Sequence, residues 1–341
     1  WRFTQTLGYS RKTIYNPQEI ETSFFVIEHL DIEFQPSRYE YNGDSLFYEL
    51  DNLCVTLYDV FQNRIFPSQE EYYKNIDLQP QAISKAGLDS DFNMSKDAFQ
   101  ALINTLLPML FESYGFSQEV LDTYSDIESK KYRYAYLADC HALINTTQEL
   151  IHACNSYFIS FYKLLCNHPS KLDFEEEYFA ITTEGRLIFS TISALFTSMY
   201  SIFDIITKIA LELEHLKECS NSYPKLYSSK LLYGDKKDIK NIDFSGSIFE
   251  PCKNISLVVN LRNELVHNAA WEMNPKIFFS IREHQLYEKC IYLPDFNKEG
   301  HLITFKGRKR FFSQGNKLNE LLPDIYFDIF KRIANTLSKL C

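Results

Sequence analysis

A mainly α-helical protein with a small β insert, preceded by an α+β N-terminal region, is what this 341-residue sequence predicts, and three observations lead there. Only 10 Gly and 11 Pro stand against 28 Phe and 23 Tyr, which favours long uninterrupted helices with large apolar contacts. From Lys130 onward, apolar residues recur three and four apart over long runs, the period of a helix with a buried face. Before the last of these runs, Lys276 to Ile281, Cys290 to Leu293 and Leu302 to Phe305 read as short strands. They predict an antiparallel insert over about 275–306.

The N-terminal third differs in period. Phe24, Val26, Leu30, Ile32 and Phe34 alternate with Phe25, His29, Asp31 and Glu33, as in a half-buried strand, and Arg2 to Tyr15 around Gly8 suits a hairpin. From Asp44 the spacing turns helical: Leu46, Phe47, Leu50, Leu53, Leu57, Val60 and Phe61 follow a cap at Asp44 or Ser45, and Pro67 stops the run. Glu70 to Leu88 is polar and broken by Pro80 and Gly87, and Ser95 opens a short helix through Phe111. Gly115 to Ser129 is the expected junction, giving an accessory α+β region at 1–125 and a helical region at 126–341.

In that second region Tyr134, Leu137, His141, Ile144, Leu150, Ile151, Cys154, Phe158, Phe161 and Leu165 mark one long helix ended by Pro169. A second runs from about Phe174 to His215, with breaks suggested near Thr182, Thr183 and Gly185. Its middle is apolar on almost every side, so it belongs at the centre of a bundle or at a subunit contact. Lys217 to Glu250 is a polar insertion with Pro224 and Gly234. Lys253 to Ala269 is helical, packed through Ile255, Val258, Val259, Leu261, Leu265 and Val266 and closed off by Pro275. Leu318, Leu321, Leu322, Ile325, Ile329, Phe330, Ile333 and Leu337 describe an amphipathic helix that closes the chain.

Composition narrows the function classes. Hydrophobic residues at 45% supply a core, and a formal charge of -10 argues against coating nucleic acid over the whole surface, so any such contact is local. Basic clusters are candidate phosphate tracks: Lys306, Arg308, Lys309 and Arg310; Lys236, Lys237 and Lys240; Lys130, Lys131 and Arg133. Phe311 and Phe312 beside the first could stack on a base or simply pack. The eight cysteines form no C-x-x-C pair and read as reduced thiols of a cytoplasmic protein. Cys140, His141, His152, Cys154, Cys166 and His168 lack zinc-site spacing, so no metal is expected. The apolar stretch Leu187 to Phe203 is a little short for a membrane span and rich in hydroxyls, which favours a buried helix and no membrane partner. No P-loop, dinucleotide fingerprint or nucleophile elbow is present, and no cofactor is expected.

Against this background Arg262-Asn263-Glu264-Leu265-Val266-His267 stands out, because it sets polar groups on a helix otherwise built for burial. At about 100° per residue Asn263 and His267 share a face, while Arg262 and His267 lie roughly 140° apart. The long guanidinium fork can span that angle. Arginine grips phosphate oxygens in a bidentate way and histidine exchanges protons near neutral pH, a pairing suited to phosphodiester chemistry. Asp204, the sole acid in a long apolar stretch, suits a partner such as Arg262, a site water or a structural ion pair.

The segment resembles the R-x(4–6)-H signature of HEPN-domain proteins, and the order of elements from about Lys130 to Cys341 resembles that family's antiparallel helical bundle. The resemblance implies a metal-independent endoribonuclease in a prokaryotic defence or toxin setting. His267 would transfer protons, Arg262 would hold the phosphate, and Asn263 would orient His267 or the phosphate, giving 2′,3′-cyclic phosphate and 5′-OH ends. It further implies RNA as substrate, a homodimer whose two motif helices share one cleft, and a regulatory protein or antitoxin as partner. In some family toxins a Tyr two residues after the histidine is adenylylated; here that position is Ala269, so no nucleotidyltransferase partner is inferred. A reading from another class also stands: a catalytically silent HEPN-like module that dimerises or binds nucleotides within a larger assembly. In that case His267 is a hydrogen-bonded core or interface histidine, Arg262 an ion-pair partner of Glu264 or a neighbour, and Asn263 only bonds backbone.

Overall fold

The computed structural model describes residues 46–66, 118–166, 178–180, 183–216, 225–272, 274, 276–282 and 285–341. The strand at 24–34, the hairpin at 2–15, the caps Asp44 and Ser45 and the helix at 95–111 lie outside them. The described chain is mainly helical. Its elements are α1 (Leu46–Ile65), α2 (Gln118–Cys166), β1 (Tyr178–Ala180), α3 (Thr183–Glu214), two 3-10 turns (Tyr227–Lys230 and Tyr233–Asp238), α4 (Lys253–Asn268), β2 (Ile277–Arg282), β3 (Gln285–Cys290) and α5 (Leu318–Leu340).

Two compact units divide the chain, one taking residues up to 51, 149–203 and 243–338, the other 52–148, 204–242 and 339–341. The junction expected near residue 125 lies within α2. α2 runs 49 residues without a single Gly or Pro, so no backbone breaker marks that position.

In the first unit the core is aromatic. Phe158 and Tyr326 stack at 4.1 Å, Tyr326 meets Phe330 at 4.4 Å, and Phe47 of α1 closes on Phe330 at 5.5 Å. Helix α5 keeps its expected apolar stripe buried, Leu321 apart, even though Pro323 lies inside it. A proline there has no N–H for the carbonyl four residues back, that of Asn319. The Tyr162 hydroxyl donates to that carbonyl instead, at 2.7 Å. Tyr162→Phe is therefore expected to cost about 1–2 kcal/mol in urea unfolding, and Pro323→Ala to reduce that cost by restoring an intrahelical donor.

The antiparallel insert is present but assembled differently from the sequence expectation. β2 pairs with β3, with Phe278 opposite Cys290, and with β1, with Phe179 opposite Phe278, in the order β1-β2-β3. The second strand is Gln285–Cys290, earlier than the segment at 290–293, and residues 302–305 make only isolated pairings, Phe296 with Leu302 and Phe305 with Arg308. β1 comes from just before α3, inside the stretch read as one helix from Phe174; the break near Thr183 is real, with helix on one side and strand on the other.

α3 is long and apolar enough to cross a membrane by length and composition. Ile188, Ile192, Leu195, Phe196, Met199, Ile202, Phe203, Ile206 and Ile209 are all fully buried, the pattern of a core helix.

In the second unit a carboxylate organises the interior. Glu212 is fully buried and accepts from the Tyr136 hydroxyl at 2.6 Å and from the Ser228 amide and hydroxyl at 2.8 and 2.7 Å. Those bonds fasten the first 3-10 turn of the insertion to α3. Nearby on α2, burial and then the charge of Glu212 raise the Asp139 carboxyl from 3.8 to about 6. Burial lowers His141 from 6.5 to about 4, outweighing the hydrogen bond to the Tyr58 backbone and the charge of Asp59, which raise it.

These two groups pull stability in opposite directions across one pH window. The raised Asp139 contributes stability below about pH 4 that is lost as pH rises through 6; the depressed His141 contributes above pH 6.5 what is lost as pH falls through 4. Asp139→Asn is expected to stabilise the protein above pH 6 by on the order of 2 kcal/mol, allowing for partial solvent access. The gain should vanish below pH 4, leaving the His141 slope exposed when urea unfolding is followed from pH 4 to 7.5.

Candidate functional site

Helix α4 carries the Arg262 to His267 segment. It starts at Cys252, whose sulfur accepts from the Ile255 amide at 3.5 Å, and ends at Ala269 in the left-handed conformation. Asn254 donates to Asp328 of α5 at 2.9 Å, and Ile255, Leu257, Val258, Leu261 and Leu265 form its buried stripe. Val266, expected in that packing, is 50% exposed. The following loop sits on the first turn: Gly300 has φ +84°, and a Cβ there would lie 2.0 Å from the Lys253 carbonyl oxygen, so only glycine permits this approach. Just past the helix, Trp271 is fully buried against Phe189 at 4.6 Å and Phe196 at 6.0 Å.

The segment's side chains separate by depth. The His267 side chain is exposed in the last turn and makes no hydrogen bond among the described residues. Arg262 is half-buried, its guanidinium carbon 4.4 Å from the centre of the Tyr200 ring of α3, and its Nη1 donates to Asn263 Oδ1 at 3.1 Å. Its Nε is buried with no partner among the described residues. Asn263 thus gives its amide oxygen to Arg262 and not to His267. Glu264 does not pair with Arg262 either. It is 4% exposed and accepts from Lys309 Nζ at 3.0 Å and from Asn268 Nδ2 at 2.8 Å.

Asp204 lies in the second unit, where it accepts from the Tyr233 amide at 2.7 Å and so holds a 3-10 turn. Another histidine, passed over in the sequence because no motif surrounds it, contacts α4: His301 Nδ1 lies 3.3 Å from Asn260 Nδ2. Asn260 precedes His267 by two helical turns, on the same face and about 10 Å along the axis.

The basic cluster sits on a hairpin. Asp295 anchors its base, accepting from the Ser313 hydroxyl and amide at 2.6 and 2.9 Å and from the Gln314 amide at 2.8 Å. Burial pushes the Asp295 carboxyl up, but these donors outweigh it and hold the group below its ordinary value. At the tip Phe305 and Arg308 exchange backbone bonds of 3.0 Å across Lys306 (φ 48°) and Gly307 (φ 81°), the left-handed pair that a tight hairpin turn requires. Between this hairpin and the last turn of α4 lies a groove of about 650 Å³, lined in part by Glu264, Asn268, Arg308, Lys309, Arg310 and Phe312.

The structure therefore brings Lys309, Arg308 and Arg310 to the Glu264 face of the motif helix, about 60° round from His267. Lys306 stays at the exposed tip, 5.6 Å from the Phe305 ring centre. Cys54, Cys140, Cys154, Cys252, Cys290 and Cys341 are free thiols, and no group of three or more metal-ligating side chains gathers among the described residues. No protein-family model, curated protein or solved structure matches the chain, so its site is read from this geometry.

Proposed function

We propose that this protein is a metal-independent endoribonuclease of HEPN type that uses Arg262 and His267. The observation that carries the proposal is the pairing of an exposed, unbonded histidine with an anchored arginine on one helix. Tyr200 and Asn263 hold the guanidinium in place while engaging only one of its five N–H donors among the described residues. A phosphate binder of this kind needs little reorganisation when charge develops.

His267 removes the proton from a ribose 2′-OH, the 2′ oxygen bonds to phosphorus, and the bond from phosphorus to the 5′ oxygen breaks; that oxygen leaves with a proton. Arg262 stabilises the charge on the non-bridging oxygens. One imidazole serves one proton transfer at a time. Two copies of α4 facing across a homodimer supply a second, and also reconcile the roughly 140° between Arg262 and His267 on a single helix. Such an activity would belong to a defence or toxin system with a regulatory protein or antitoxin, as the resemblance implies, and the cysteines, which form no C-x-x-C pair, suit a cytoplasmic setting.

A second reading draws on the same contacts. Arg262 already stacks on Tyr200 and bonds Asn263, as a structural arginine would in a silent dimerisation or nucleotide-binding module. Incubation of the purified protein with RNA in excess EDTA, followed by analysis of the new ends, decides between them. Cyclic phosphate and 5′-OH ends support the enzyme; intact RNA, with or without an activating partner, supports the module.

A further inference from the structure

The sequence presents Lys306, Arg308, Lys309 and Arg310 as equivalent cations, and the fold makes them unequal. Lys309 is spent on the buried carboxylate of Glu264 at 3.0 Å, and Lys276, which also lines the groove, is spent on Glu272 at 2.8 Å. Both acids of the groove are thereby neutralised. Arg308 and Arg310 are left with no carboxylate partner among the described residues: Arg308 Nε donates to the Arg310 carbonyl at 3.4 Å and Arg310 Nη2 to the Ala270 carbonyl at 3.4 Å. At the rim Phe312 is 36% exposed.

We infer that the groove between the 295–313 hairpin and the last turn of α4 binds a single strand of RNA, with Arg308 and Arg310 on consecutive phosphates and Phe312 stacked on a base. Three features point to this occupant. The net surplus of the groove is two guanidinium groups, which grip phosphodiester oxygens through a planar fork. In a chain of net charge -10 a local cationic surplus attracts a polyanion to one place. An exposed ring beside alternating cations matches the spacing of base and phosphate in an unstacked strand.

Glu264 is a positioning residue in this arrangement. Its carboxylate ties Lys309 to α4 and fixes the hairpin beside the helix that carries His267. The inference rests on the ribonuclease reading for its choice of strand, but its test does not depend on cleavage.

Binding of a fluorescent single-stranded RNA decamer to His267→Ala protein, followed by anisotropy from 50 to 300 mM salt, reads the groove directly. The double variant Arg308→Ala/Arg310→Ala is expected to weaken binding at least tenfold at low salt and to flatten the salt slope by about 1.4, the value for two phosphate contacts on a single strand. Phe312→Ala is expected to weaken binding about tenfold with the slope unchanged, since stacking releases no counterions. Arg308→Lys/Arg310→Lys should keep the slope while losing affinity, and unchanged thermal melting of each variant verifies the fold. Affinity unaffected by the double substitution, or competition by polyglutamate as strong as by RNA of equal charge, overturns the inference. Groove-dependent binding without cleavage by the unsubstituted protein would leave it standing and remove the nuclease reading alone.

Discussion

His267→Ala is expected to lower EDTA-resistant RNA cleavage by about 10²–10⁴-fold, the usual worth of a positioned proton-transfer group, with no change in the unfolding midpoint. The absence of a stability effect follows from the site: the side chain is exposed and bonded to nothing among the described residues. Arg262→Ala should cost about 10²–10³-fold in cleavage. It should also cost some stability, because the guanidinium packs on Tyr200. Arg262→Lys separates the two contributions, since it retains the charge but neither the stack nor the fork. Cleavage that survives both alanine substitutions would remove the two residues from any catalytic role.

The second large effect is on folding. Trp271→Ala is expected to cost about 3–5 kcal/mol in urea unfolding, because the indole is fully buried against Phe189 and Phe196 and its loss leaves a cavity. Trp271→Phe should cost much less. The indole Nε1 has no hydrogen-bond partner among the described residues, so removing it forfeits ring volume but no polar contact. Trp271 follows α4 by only three residues, and the alanine variant should also increase hydrogen exchange in the last turn of that helix, where His267 sits. Equal costs for Ala and Phe would show that packing around the indole is not what holds this corner.

Much of the secondary structure was legible. The stop of α1 before Pro67, the bounds of α4 and most of the buried stripe of α5 follow from apolar spacing and helix breakers, which act within a few residues. β1 was not legible, because three residues before a long helix become a strand only by pairing with β2 some hundred positions later. Pro323 would ordinarily argue against the helix that contains it, and the compensation by Tyr162 comes from a distant part of the chain.

The candidate site divides along the same line. The sequence by itself determined that Arg262, Asn263 and His267 share one helix and that four cations cluster near residue 308, because residue order and helical period are local properties. Only the tertiary structure decided what each of those groups touches. It turned Asn263 toward Arg262, gave Asp204 to a backbone amide, buried Glu264 against Lys309 and left two arginines facing an open groove. A buried charge takes its partner from whatever the fold brings within about 3 Å, and that depends on contacts between segments far apart in the chain.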